Sequence, residues 1–131
     1  MDNVQESKRK MISMKKWVVV GATPNEEKFG YKIFKSLKQN HYQVWGVNPN
    51  YAELEGELLF ATLKDLPEKP DCISVVVPPP VALKLVEEAA DAGIAYIWFQ
   101  PGTYDRDVLQ RARDLDLNIV YNDCVLVTLG H

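Results

Sequence analysis

Nearly continuous apolar runs at residues 17–20, 43–47, 72–77, 94–99 and 118–121 constrain this chain more than any other feature. A strand with one face in water alternates apolar and polar residues. These runs do not, so each reads as a strand covered on both faces. Amphipathic helical patterns fill the gaps. Phe29, Ile33, Phe34 and Leu37 form one stripe, and Ala82, Leu85, Val86, Ala89 and Gly93 form another, with Lys84, Glu87, Glu88 and Asp91 facing water. Val108, Ala112 and Leu115 make a narrower one. Repeated strand–helix–strand units close through right-handed crossovers, so the expected fold is α/β, a doubly wound parallel sheet of about five strands in a single domain.

Residues 17–131 carry that pattern, and 131 residues suffice for one core. Residues 1–16 read as a polar N-terminal tail, with the KRK at 8–10 a solvated charge run. Pro80 suits a helix's first turn, and Gly93 suits its end at positive φ. Thr103 is the expected cap of the next helix, with Asp105 and Asp107 complementing its dipole. The connection at 50–71 is the weakest part, with a short extended piece at 58–60 and one helical turn at 62–66.

Ligands of open α/β sheets bind beyond the carboxyl ends of the strands. Four such ends hold unusual residues: Gly21-Ala22-Thr23, Asn48-Pro49, the prolines from Pro78 to Pro80 after Val77, and Gln100-Pro101-Gly102. Gly21 allows a tight turn and close backbone approach, Thr23 supplies a hydroxyl, and Lys28 a charge. Gly30 would let the following helix pack close to the sheet. A helix N-terminus at this point favours phosphate. Glu26 and Glu27 oppose that unless they point outward and Lys28 inward. Neither G-x-G-x-x-G nor G-x-x-x-x-G-K-[ST] is present, and no Asp or Glu ends the second strand to grip the ribose of NAD. The prolines forbid a paired strand beyond Val77 and build a rigid apolar wall.

The remaining signals are exclusions. A net charge of −3 gives no reason to expect nucleic acid or an acidic membrane surface. No apolar stretch reaches a signal peptide or a membrane span, so a cytoplasmic protein is expected. Cys72 and Cys124 are too few for a disulfide framework and lack zinc-site spacing. His41 reads as a solvated residue at a helix end, and neither it nor His131 can anchor a catalytic triad at the strand ends. Asp123 and Cys124 follow the fifth strand, where Cys124 reads better as a small buried residue than as a reactive thiol. The expectation is that no residue is catalytic and no metal is held.

Taken in order, Gly-Ala-Thr with a basic residue and Gly before the first helix, Val-Asn-Pro, Val-Pro-Pro and Trp-Phe-Gln-Pro-Gly resemble the small stand-alone CoA-binding domain family. They are also similar to the CoA-binding domain of the succinyl-CoA synthetase α subunit. The resemblance covers roughly residues 17 to 128. It implies a Rossmann-like domain with coenzyme A as cofactor. Gly21, Ala22, Thr23, Pro24 and Asn25 would line the phosphates, with Lys28 adding charge. Asn48, Pro49, Val77, Pro78 and Pro79 would hold the adenosine and pantetheine portions, and Gln100 completes the set. The synthetase carries a lysine where this chain has Tyr51. It also uses a phosphohistidine domain and a partner subunit that have no counterpart here, so its ligase activity does not carry over.

The leading expectation is a module that binds CoA or an acyl-CoA, non-catalytic or regulatory, with a homo-oligomer left open. The alternatives are a small NAD(P)-dependent oxidoreductase and a structural domain with a relic pocket.

Overall fold

The structure, a computed structural model, describes residues 2–129, and His131 lies outside them. Its parallel body comprises β1 (Lys16–Val20), β2 (Gln43–Val47), β5 (Cys72–Val75), β6 (Tyr96–Phe99) and β7 (Asn118–Val120). These are the five expected strands. β5 stops short of Val77 because Val76 N–H makes the last ladder-like bond, to Val20 O, and Pro78 has no N–H to give.

Two further strands extend the sheet. β4 (Glu57–Phe60) runs parallel to β2, and β3 (Glu53–Leu54) pairs antiparallel with β4. The full order is β3-β4-β2-β1-β5-β6-β7. Glu55 (φ 47°) and Gly56 (φ 86°) make the hairpin turn, both in the positive-φ region that a two-residue I′ turn requires. Glutamate is a poor residue for that conformation, so the turn is hidden in the sequence. Its carboxylate is held by Lys35 and Tyr31.

Side chains alternate along β1, so Trp17 and Val19 enter one core while Val18 and Val20 enter the other. α2 (Phe29–Gln39) and the short α5 (Val125–Leu129) cover the first face. α3 (Pro79–Asp91) and α4 (Arg106–Asp114) cover the second. The fold is therefore a Rossmann-like, doubly wound sheet. His41 is exposed just past α2 at φ 69°. α4 is capped by Asp105, whose Oδ1 accepts from Val108 N–H. Thr103 does not cap it; its hydroxyl donates to Gln100 O instead.

The amino-terminal segment is not a solvated tail. α1 (Val4–Ser13) packs on β6 and β7 and buries Met11 completely. Its inward stripe of Val4, Ser7 and Met11 is too narrow and too polar for hydrophobic periodicity to reveal. Two charges of the KRK run are paired, Lys8 with Asp123 at 2.6 Å and Lys10 with Glu6 at 3.1 Å.

Just before α1, the Asp2 carboxylate accepts from Arg113 Nη2 at 2.8 Å and from the Tyr121 hydroxyl at 2.9 Å. The Arg113 hydrogen bond is the main reason its pKa falls below the ordinary 3.8. A carboxylate whose folded pKa is depressed stabilises above its unfolded pKa and loses that contribution as pH falls through the folded value. Stability should therefore drop on acidification below pH 3.8. Asp2→Asn should flatten that part of the curve and remove up to about 1 kcal/mol at neutral pH. Urea unfolding at several pH values checks this; identical acid limbs in both proteins would refute it.

Candidate functional site

The β1–α2 loop is fixed from two sides. Gly21 N–H donates to Val47 O at 2.8 Å, tying the turn to β2. At φ 104°, a Cβ on Gly21 would sit 2.8 Å from Val76 Cγ2 and 2.9 Å from Val76 O, so the residue after β5 closes the other side. A Cβ on Gly30 would fall far closer to Gly21 O than the 3.0 Å that real Cβ atoms keep. The first turn of α2 thus rests directly on the loop, the close packing the sequence suggested.

Two polar side chains set the loop's shape. Thr23 is 5% exposed, and its Oγ1 accepts from Asn25 N–H at 3.2 Å. Asn48 bridges from β2, with Nδ2 donating to Ala22 O at 2.8 Å and Oδ1 accepting from Asn50 N–H at 2.9 Å. Its amide is therefore spent on backbone. Lys28 is the N-cap residue of α2 and gives it no side-chain cap. Glu26 and Glu27 precede the helix in exposed positions and do not line the cleft, whereas Lys28 does.

These groups open onto a cleft of about 640 Å³ at the carboxyl ends of β1, β2 and β5. Of the residues expected at the site, Gly21, Thr23, Lys28, Asn48, Pro49, Val77 and Pro78 line it. Ala22, Pro24, Asn25 and Pro79 do not. Ala22 is buried in the α2-side core, and Asn25 acts on the loop by accepting from Glu27 N–H at its side chain and from Lys28 N–H at its carbonyl. Gln100 is not on the lining either. It is 1% exposed, its Nε2 donates to Ser74 Oγ, and its Oε1 accepts from Val125 N–H. It fastens α5 over the sheet and lies off the cleft wall.

The far wall is new. Tyr51, Thr62 and Leu63 approach from the β4 side, and Val81, Leu85 and Glu88 from α3. The stripe containing Leu85 is visible in the sequence, but a stripe position does not reveal which of its residues stop at the core and which reach a cleft. Thr62 and Leu63 belong to the single helical turn expected at 62–66, a 3₁₀ turn over Leu63–Asp65 that Thr62 and Asp65 cap reciprocally.

Chemically the cleft offers apolar walls, three hydroxyls (Thr23, Tyr51, Thr62), one cation and one carboxylate. That set suits binding of a flat apolar group joined to an anion. Cys124 lies elsewhere, half-buried against the α2-side core, while burial pushes the Cys72 thiol pKa well up. Among the described residues no group of His, Cys, Asp and Glu is placed to hold a metal ion.

The sequence and the fold are both similar to those of known proteins. The pattern of a family described as the CoA binding domain matches residues 15–130. An ADP-forming acetate–CoA ligase of Methanocaldococcus jannaschii is 35% identical over 131 residues, covering 93% of this chain and 19% of the ligase. A second such ligase, from Archaeoglobus fulgidus, is 28% identical over 117 residues, covering 82% and 17%. The chain thus spans less than a fifth of the curated relatives it matches. A conserved hypothetical protein of Pyrococcus furiosus shares the fold with a TM-score of 0.83 at 35% identity, covering 87% of this chain and 98% of that one. A hypothetical protein of Pyrococcus horikoshii does so at 0.87 and 30%, covering 95% and 88%.

Proposed function

The chain belongs to the CoA binding domain family, and from that premise we propose that it binds coenzyme A, or an acyl-CoA, in the cleft at the strand ends. One observation supports this placement above the others: the Gly21 loop, Thr23, Lys28 and the uncapped start of α2 open onto the same cleft as Asn48-Pro49 and Val77-Pro78. The diphosphate belongs at the first group, where helix-terminal N–H groups, a hydroxyl and a cation favour an anion. The adenosine belongs between the β4 side and α3, and the pantetheine arm along the Pro78 wall.

The same reading makes the protein a binding module. The cleft's described lining contains no nucleophile backed by a base and an orienting group. Its partner is then a small molecule in the cytoplasm, without nucleic acid or membrane. No helix among the described residues is long and apolar enough to cross a bilayer. The ligase activity of the longer relatives is not part of the proposal.

Ligand preference tests it. The residue after β2 is Asn48, whose amide is occupied by Ala22 and Asn50, so no carboxylate is available there for the ribose diol of NAD. CoA should raise the melting temperature more than NAD at equal concentration. A hundredfold excess over Kd corresponds to about 2.7 kcal/mol of added stability. Equal or greater stabilisation by NAD would replace this reading with a nicotinamide-nucleotide one.

A further inference from the structure

Val81, Leu85 and Glu88 share one face of α3, at helical spacing, and all three line the cleft. The first two form an apolar wall, with Leu63 contributed from the β4 side. Glu88 ends that wall in a carboxylate. The residue is exposed and its carboxylate has no ion pair or hydrogen bond among the described residues, while the neighbouring Glu87 carboxylate is held by Arg111. Lys28 is the only other charged residue on the lining, and its ammonium is likewise unpaired among the described residues.

The two charges come from helices on opposite faces of the sheet, Lys28 from the α2 side and Glu88 from the α3 side. Lys28 stands at the start of α2, beside the phosphate-type loop. Glu88 lies seven residues beyond Val81, about 10 Å farther along α3 at 1.5 Å per residue. A cleft with a cation on one side, a carboxylate on the other and apolar walls between complements a particular kind of molecule. That molecule is anionic at one end and donates a hydrogen bond from the far edge of a flat ring.

Resting on the CoA reading above, we propose that Glu88 is the specificity-determining residue for the base. Its carboxylate accepts a hydrogen bond from the 6-amino group of an adenine lodged between Leu63 and Leu85. A ring edge that presents only acceptors meets a carboxylate with no proton to share, and the desolvation of both is left uncompensated. Ligands without the amino donor therefore bind more weakly.

The test is titration calorimetry with CoA and with a CoA analogue carrying unsubstituted purine in place of adenine. Each is measured on the wild type, Glu88→Ala and Glu88→Gln. Because Glu88 is exposed, circular dichroism should show all three proteins equally folded. The wild type should bind CoA about tenfold tighter than the analogue, the lower end for a hydrogen bond to a charged acceptor. Glu88→Ala should bind both ligands alike, and Glu88→Gln should keep a reduced preference through its amide oxygen. A wild type indifferent to the amino group, or a tenfold preference surviving in Glu88→Ala, overturns the proposal and leaves CoA binding standing. A folded wild type that binds neither ligand removes the CoA reading and this proposal together.

Discussion

Gly30→Ala should destabilise the protein by about 3 kcal/mol, lowering the melting temperature by on the order of 10 °C. On helix propensity alone the change should help, since alanine is favoured over glycine within a helix by about 1 kcal/mol. Packing reverses the sign. The new methyl would be driven into Gly21 O, with the Gly21 carbonyl carbon and Ala22 Cα close behind, and all of these are backbone. None can rotate away as a side chain would. Either α2 lifts off the sheet, loosening Ile33, Phe34 and Leu37 from their fully buried positions, or the Gly21 turn loses its bond to Val47. Gly102→Ala is the control. It is strained by φ 88° but has no atom within 4 Å of the added Cβ, so only the cost of a left-handed conformation applies, about 1–2 kcal/mol. Thermal and urea unfolding of both variants decide the matter; a Gly30→Ala protein as stable as the wild type would mean that α2 sits farther from the loop.

The same contact explains why some of the molecule was legible in the sequence and some was not. The five parallel strands and α2 to α4 announce themselves because burial on both faces, or on one helical stripe, writes a periodic pattern. Gly30 was legible as a close-packing position for a related reason: a glycine early in an amphipathic helix asks for an explanation. α1 was not legible, since its burial rests on Met11 and small or polar neighbours rather than a broad stripe. Nor was β3, which is two residues long and turns through a glutamate. At the site, the near wall is written in glycine, threonine and proline, which stand out at strand ends. The far wall is made of ordinary helix and loop residues that only tertiary structure brings opposite them. Gln100 shows the reverse case. An amide after a strand resembles a ligand contact in sequence, but two buried partners, Ser74 and the first amide of α5, consume it.

Thr23→Ala should weaken CoA binding by about ten- to a hundredfold, the range for losing a hydrogen bond to a charged group. Thr23 also braces its own loop by accepting from Asn25 N–H, so two effects must be separated. The loop contribution appears in the melting temperature of the unliganded protein, and the ligand contribution in Kd. Thr23→Ser keeps the hydroxyl and should restore most of both. Lys28→Ala isolates charge, because its ammonium braces nothing within the described structure. Its loss should matter most at low salt and fade as ionic strength rises, since screening acts over about 10 Å at 0.1 M. Gly21→Val cannot serve as the ligand test that its place in the loop invites. Its Cβ meets Val76 O at 2.9 Å and its φ is 104°, so the fold itself is perturbed before any phosphate arrives. Calorimetric titrations of the Thr23 and Lys28 variants across a salt series therefore carry the decision. If CoA affinity is unchanged in Thr23→Ala and equally salt-sensitive in Lys28→Ala, the loop is a structural corner and the diphosphate binds elsewhere.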